Sequence, residues 1–88
     1  MNIFYTAQFK KDYKKIKKQA KDLSKLKVII DKLVNGIELD PKHHDHPLSG
    51  EWKAHRDCHI GPDWLLIYRL TPDELILERI GSHSDLFT

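Results

Sequence analysis

The sequence predicts an α+β domain: a short N-terminal strand, two antiparallel helices, then a three-strand antiparallel meander forming one sheet that the helices cover. Two stretches with a helical spacing of apolar residues come first, and three strand-like stretches joined by short turns follow. The chain has 88 residues, 40% hydrophobic and 32% charged, which is typical of a single globular domain over 1–88.

The first half of the chain predicts the strand and the helices. Residues 2–6 are rich in aromatic and β-branched side chains, and Thr6 can cap the first helix. The buried stripe of that helix is predicted from apolar residues at spacings of four, three and four: Phe9, Tyr13, Ile16 and Ala20. Asp22 is the predicted cap of a second helix with an apolar stripe over 23–34, and Asn35-Gly36 is its stop signal.

The second half predicts strands at 52–60, 64–70 and 75–80, with hairpin turns at 61–63 and 71–74. Side chains alternate between the two faces of a strand. The face of the first strand that meets the helices is predicted from every second residue: Trp52, Ala54, Arg56, Cys58 and Ile60. Arg56 is the charged exception on this face and needs a partner. The polar face is predicted to be open: Lys53, His55, Asp57 and His59.

Titratable side chains crowd the second half of the chain. All six histidines lie there: His43, His44, His46, His55, His59 and His83. Asp45, Asp57 and Asp63 lie close to them in sequence. Because the unperturbed pKa of histidine lies near neutral pH, such a group can transfer protons, hold a metal or simply face solvent.

These three interpretations differ in their chemistry. Metal-free RNA cleavage needs a base for the 2′-hydroxyl, an acid for the departing 5′-oxygen and a cation for the phosphate, and imidazoles with carboxylate neighbours can fill these roles. A metal site could use His55, Asp57 and His59, although their spacing matches no strong metal motif. Ordinary surface placement is the expectation for His43, His44 and His55 taken singly.

Composition excludes several classes of protein. The single cysteine, Cys58, rules out an intrachain disulfide and a cysteine-rich zinc site, and its inward position predicts a buried side chain. No apolar run is long enough to cross a bilayer, and no signal peptide is visible, so the sequence predicts a cytoplasmic protein with no membrane partner. Residues 1–30 hold nine lysines and two aspartates, a charge of +7 that suits a polyanionic partner or a solvated helix face.

Three blocks of sequence resemble a known family. The first runs from Asp45 to Lys53 (DHPLSGEWK), the second from Arg56 to Tyr68 (RDCHIGPDWLLIY) and the third from Glu78 to Phe87 (ERIGSHSDLF). Together they are similar to the YafQ-type toxins of the RelE/ParE superfamily, from bacterial type II toxin–antitoxin operons. Three blocks in the same order are far more specific than one motif.

The resemblance implies a RelE-like fold and a ribosome-dependent endoribonuclease that cuts mRNA. We expect no cofactor, and we expect cleavage without a metal because side-chain acids and bases suffice for the chemistry and the chain lacks a strong metal motif. It implies a cognate antitoxin, the ribosome and mRNA as partners, and no DNA binding by the toxin alone. The family's catalytic positions carry over to five residues: His46, Asp57, His59, Asp63 and His83. Phe87 carries over as a base-stacking residue, and we add Lys53 and Arg56 as candidates for RNA binding.

We expect His46 and His83 to act as base and acid, His59 to stabilise phosphate charge or share the proton transfer, and Asp57 and Asp63 to orient imidazoles. The lysines of the first helix are expected to dock onto ribosomal RNA: Lys10, Lys11, Lys14, Lys15, Lys17 and Lys18. A non-catalytic binding protein of the same fold, either an antitoxin-binding remnant or a ParE-like inhibitor of a protein target, is the alternative. A metal-dependent hydrolase is the third interpretation.

Overall fold

The computed structural model describes residues 1–87, which contain five strands in one sheet and three α-helices. The strands are Asn2–Tyr5 (β1), His46–Pro47 (β2), Arg56–Gly61 (β3), Trp64–Leu70 (β4) and Glu74–Gly81 (β5). The α-helices are Ala7–Lys18 (α1), Leu23–Val34 (α2) and His83–Leu86 (α3), and 3-10 turns lie at Pro41–His43 and Gly50–Trp52. The strand order is β1-β5-β4-β3-β2, with β1 parallel to β5 and the other neighbours antiparallel. None of the helices in this range is long and apolar enough to cross a bilayer.

The predicted first strand and both long helices are confirmed, together with their caps. The Thr6 hydroxyl accepts a hydrogen bond from the Phe9 amide at 3.0 Å, and the Asp22 carboxylate accepts one from the Ser24 amide at 3.0 Å. One residue of the first stripe was predicted wrongly. Ala20 lies beyond the end of α1, exposed and with a φ of 55°, because the chain already reverses there toward α2.

The three-strand meander is also confirmed, but its first strand is shorter than predicted. It begins at Arg56, because a 3-10 turn ends at Trp52 and Ala54 adopts a φ of 71°, which breaks the alternation of side chains. Trp52 therefore does not face the long helices as predicted. It packs instead with Leu65 and Ile67 on the other side of the sheet.

Two apolar clusters lie on opposite faces of the sheet. The larger one, beneath α1 and α2, includes Phe9, Ile29, Cys58 and Tyr68, so the predicted burial of the cysteine is confirmed. The smaller cluster covers Leu65 and Ile67 with side chains from other segments: Leu48, Trp52 and Leu86. The prediction of a wholly open second face is therefore wrong at its centre, where Leu65 and Ile67 are fully buried.

An ion pair between the buried Asp12 and the partly buried Arg79 fixes α1 to β5. The Asp12 carboxylate accepts hydrogen bonds from Arg79 Nε at 2.7 Å, Arg79 Nη2 at 3.1 Å and the Ile80 amide at 3.2 Å. Asp12 is one of only two charged or polar residues buried within the described range. These bonds compensate the carboxylate for the water that it loses, and they hold the pKa of Arg79 above its ordinary value.

We expect Asp12→Ala to lower the free energy of unfolding by about 3–5 kcal/mol, because Arg79 and the Ile80 amide would lose their acceptor. The control is Lys15→Ala, which removes the exposed pair between Lys15 and Asp85 and should cost at most about 1 kcal/mol. Urea unfolding of both variants measures the difference. Equal losses would show that the pair between Asp12 and Arg79 does not fix the helix.

Candidate active site

Asp57 is the centre of the candidate site. It lies on β3, on the face opposite α1 and α2, and is only 3% exposed. Within residues 1–87, no donor makes a hydrogen bond of good geometry to its Oδ1 atom. Burial raises the pKa of Asp57, and the nearby imidazoles of His46, His59 and His83 act against that rise. When ionised, this buried carboxylate places a fixed negative charge near three imidazoles and favours their protonated forms.

His46 reaches Asp57 from the neighbouring strand. The two residues are paired in the register of β2 and β3, and His46 Nδ1 lies 3.0 Å from Asp57 Oδ1. The same nitrogen lies 2.6 Å from the carbonyl oxygen of His44, which accepts its proton. Asp57 therefore acts on this imidazole mainly through its charge, and the side chain of His46 remains 52% exposed.

His59 and His83 stand beside each other on the same side of the sheet. Their ring centroids are 5.9 Å apart. Desolvation lowers the pKa of His59, although the charge of Asp57 opposes this, so the ring is mostly neutral at physiological pH. His83 opens α3, where Asp63 Oδ1 accepts its backbone N–H at 3.0 Å and lies 3.5 Å from its Nδ1 atom. Asp63 thus holds both the backbone and the ring of His83.

Aromatic rings extend this group at both ends. The Phe87 ring is 40% exposed and lies 5.9 Å from the ring of His83. At the other end, the ring of His44 meets the edge of His59 at 5.3 Å. The six predicted catalytic and stacking residues therefore come together, joined by His44, which the sequence analysis left outside the site. His44 and His46 are two residues apart, and on a strand this spacing would put both side chains on one face. The sequence predicts no strand there, so this spacing did not place His44 in the site.

Two predicted RNA-binding residues lie elsewhere. Arg56 lies on the helix-facing side of β3, where its Nε is 3.3 Å from Asp45 Oδ1, so its predicted need for a partner is confirmed. Lys53 is exposed in the loop before β3, and its carbonyl oxygen lies 3.2 Å from His55 Nδ1. His55 itself pairs with Glu78 at 3.3 Å. The geometry brings neither Lys53 nor Arg56 into the histidine group.

A second carboxylate fixes the segment that carries His46. Asp45 accepts a hydrogen bond from the hydroxyl of Tyr68 at 2.5 Å, on the helix-facing side of the sheet. The next residue, His46, contacts Asp57 on the opposite side. Burial and the Asp45 charge raise the pKa of Tyr68, so its hydroxyl remains a donor. The sheet edge at β2 is therefore held from both faces, a role of Asp45 and Tyr68 that the sequence did not reveal.

Other groups are placed as follows. The six lysines of α1 assigned to ribosome docking are all exposed, and Lys15 pairs with Asp85 at 3.1 Å. His43 Nδ1 lies 2.7 Å from the carbonyl oxygen of His59, so this histidine ties the first 3-10 turn to β3. Within residues 1–87, no three His, Cys, Asp or Glu side chains are arranged as ligands for one metal ion.

Comparison with known proteins shows the family of this chain. Residues 1–88 match the family described as "Bacterial toxin of type II toxin-antitoxin system, YafQ". The chain belongs to the YafQ family. The mRNA interferase toxin YafQ of Escherichia coli K12 is 46% identical over 87 residues, which is 98% of this chain and 95% of that protein. The predicted family resemblance is confirmed.

Solved structures of the YafQ type share the fold. A copper-bound mutant toxin from Helicobacter pylori has a TM-score of 0.95 at 44% identity and covers 99% of both chains. The toxin chain in an E. coli DinJ–YafQ complex has a TM-score of 0.91 at 45% identity and covers 99% of this chain and 98% of that chain. The predicted α+β fold class is confirmed, with β2 and α3 as additions.

The buried carboxylate of Asp57 should cost stability at neutral pH. Its raised folded pKa gives stability that is full below the unfolded pKa, about 3.9, and that is lost as the pH rises through the folded pKa. We expect Asp57→Asn to melt at a higher temperature than the wild type at pH 7, with the difference shrinking toward pH 4. Melting curves across this range test it. A lower melting temperature at pH 7 would mean that imidazolium partners stabilise the carboxylate.

Removal of the Tyr68 hydroxyl should loosen the edge that carries His46. We expect Tyr68→Phe to lower the free energy of unfolding by about 1–3 kcal/mol, since Asp45 loses a short hydrogen bond. It should also shift the NMR signals of residues 45–47. Tyr13→Phe on α1 is the control for loss of a hydroxyl. If Tyr68→Phe left the signals of His46 unchanged, the anchor would be irrelevant to the site.

Proposed function

We propose that this protein is an mRNA interferase, an endoribonuclease toxin of a type II toxin–antitoxin system that cuts mRNA on the ribosome by acid–base catalysis. The observation that carries the proposal is the buried Asp57 carboxylate with the imidazoles of His46, His59 and His83 around it. A relative from E. coli, which matches 98% of this chain, is named an mRNA interferase toxin.

The cleavage step needs one base and one acid. The base removes the proton of a 2′-hydroxyl, whose oxygen attacks the adjacent phosphorus. The acid protonates the departing 5′-oxygen, so the products are a 2′,3′-cyclic phosphate and a 5′-hydroxyl end. DNA has no 2′-hydroxyl, so this chemistry selects RNA.

We assign the roles from the environment of each imidazole. Burial lowers the pKa of His59 and so favours its neutral form. Of the two roles expected of His59, a share in the proton transfer therefore suits it better than stabilisation of phosphate charge. His46 and His83 stay the candidates for the second proton transfer, because both are exposed and each faces a carboxylate, at 3.0 Å and 3.5 Å respectively. Asp63 orients His83, and Phe87 offers a ring on which a base can stack.

Docking and regulation follow from the charge distribution. The six exposed lysines of α1 form a basic surface for ribosomal RNA, and the contribution of this surface to binding weakens with salt.

The partner that silences the protein is a cognate antitoxin, since a relative is solved in the DinJ–YafQ complex. Ribosomes and mRNA as targets place the protein in the cytoplasm. Arg56 is paired with Asp45 on the helix-facing side, and Lys53 lies in the loop before β3, so we assign neither to RNA binding at the histidine group.

Metal content is a separate question, because metal-bound and copper-bound relatives from H. pylori are known. Side-chain acids and bases suffice for the reaction proposed here, so metal-free catalysis stays our prediction. Elemental analysis of untagged protein, paired with its single-turnover cleavage rate, tests that prediction. Activity that rises in proportion to bound copper or zinc would replace the metal-free mechanism.

Substitution of the histidines should separate catalysis from stability. We expect His46→Ala, His59→Ala and His83→Ala each to reduce cleavage on programmed ribosomes by about 10²–10⁴-fold. The exposed His46 and His83 variants should change the free energy of unfolding by no more than about 0.5 kcal/mol. His55→Ala is the matched control, because His55 pairs with Glu78 and lies outside the group.

The measurement is primer extension of the mRNA together with thermal melting of the same protein samples. Loss of cleavage without loss of the folded state supports the assignment. If the His46 and His83 variants cleaved like wild type, or if every loss followed melting temperature, the assignment would be wrong. Growth arrest with intact mRNA would favour the non-catalytic alternative.

A further inference from the structure

A cavity opens directly beside the histidine group. It has a volume of about 580 Å³ and lies between α2, the first 3-10 turn and the end of β3. His59 and His44 form one wall of it, so it is continuous with the candidate active site. Nothing in the proposed cleavage step uses the opposite wall.

The floor and rim of this cavity differ in chemistry. Ile29 and Ile60 form a buried apolar floor, and the exposed Val28 adds to it. Three lysines stand around the rim: Lys25, Lys32 and Lys42. Lys25, Val28 and Lys32 share one face of α2, because their spacings of three and four residues match the helical repeat. Among the cavity-lining residues the only carboxylate is Asp40, so the rim is net positive.

We propose that this cavity is a subsite for the RNA nucleotide next to the scissile phosphate. Its base lies on the apolar floor, and its phosphates lie against Lys25, Lys32 and Lys42. This inference rests on the proposed function. An RNA strand bound for cleavage must continue beyond the scissile bond, and single-stranded RNA is bound by apolar or aromatic surfaces for bases with cations for the backbone. The volume lies within the range of about 300–1,000 Å³ that is usual for small-ligand pockets.

His43 fixes the 3-10 turn that lines this cavity. His43 Nδ1 bonds to the carbonyl oxygen of His59 at 2.7 Å, so the turn that carries Lys42 is fixed to the catalytic strand. A nucleotide against Lys42 is thereby kept in register with His59. This gives His43 a positioning role without any direct contact with the reacting atoms.

Charge reversal tests the binding of the phosphates. We expect the double variant Lys25→Glu and Lys32→Glu to raise the KM for cleavage on programmed ribosomes at least tenfold with kcat nearly unchanged. The slope of log affinity against log salt should fall by about 0.7 for each phosphate that no longer binds a lysine. Lys27→Glu is the matched control, since Lys27 lies on the same helix but lines a different groove, between α1 and α2. A KM for the double variant within twofold of that for Lys27→Glu overturns the proposal.

Crosslinking identifies the RNA. Val28→Cys supplies one accessible thiol for a photoreactive label, because the native Cys58 has 0% exposure. On mRNA-programmed ribosomes we expect crosslinks to mRNA within a few nucleotides of the cleavage site. Crosslinks to ribosomal RNA alone, or to protein alone, would contradict an mRNA subsite.

The parent function is checked in the same assay with His83→Ala. If His83→Ala is inactive while the lysine double variant behaves like its control, the subsite fails and the catalytic proposal stands. If His83→Ala cleaves like wild type, the proposed catalytic site itself is wrong. Thermal melting of each variant excludes unfolding as the cause.

Discussion

The candidate site depends on one buried carboxylate. Asp57 is almost fully inaccessible, and its Oδ1 atom lies 3.0 Å from His46 Nδ1. Burial of a carboxylate that lacks full hydrogen bonding is unfavourable unless charges nearby compensate it. The imidazoles supply that compensation only when they carry a proton, so the protonation of Asp57 and of the histidines is coupled. The site thereby gives up stability to hold a negative charge beside the imidazoles for which proton transfer is proposed.

The rest of the fold places residues around this carboxylate. Strand β3 carries Asp57 and His59, the short β2 brings His46 to them, and α3 begins at His83. Two hydrogen bonds fix β2 and α3 in these positions. Asp45 and Tyr68 hold β2 from the helix-facing side, and Asp63 holds the start of α3 through the His83 amide. At β5, Asp12 and Arg79 fix α1, which presents the lysines.

Much of the fold was predictable from the sequence, because its signals are local. Thr6 and Asp22 cap helices, Gly36 ends one, and Pro62-Asp63 forms a tight turn between β3 and β4. The misplaced residues depend on distant contacts. Trp52 would follow the alternation of β3 if Ala54 did not adopt a positive φ, and β2 is a two-residue strand that only its pairing with β3 defines.

The residues proposed for the candidate site could be chosen from the sequence, but most of the residues that hold them in place could not. Six residues were assigned through family resemblance, and the structure brings these proposed catalytic and stacking residues together: His46, Asp57, His59, Asp63, His83 and Phe87. Asp45, Tyr68 and His44 were missed, because their contacts join positions far apart in the chain or depend on the left-handed backbone of His44. Lys53 and Arg56 were assigned from charge alone, and charge does not determine which side of a sheet a residue occupies.

An NMR pH titration measures the coupling between Asp57 and the imidazoles, on which the proposed site depends. Carboxyl carbon and imidazole nitrogen shifts would be followed in the wild type from about pH 3 to 9. We expect the pKa of Asp57 to lie above its ordinary value and the pKa of His59 to lie below its ordinary value, and we expect the Asp57 signal to respond again as the histidines titrate. Ordinary pKa values for both residues, with each titrating independently of the other, would contradict this coupling.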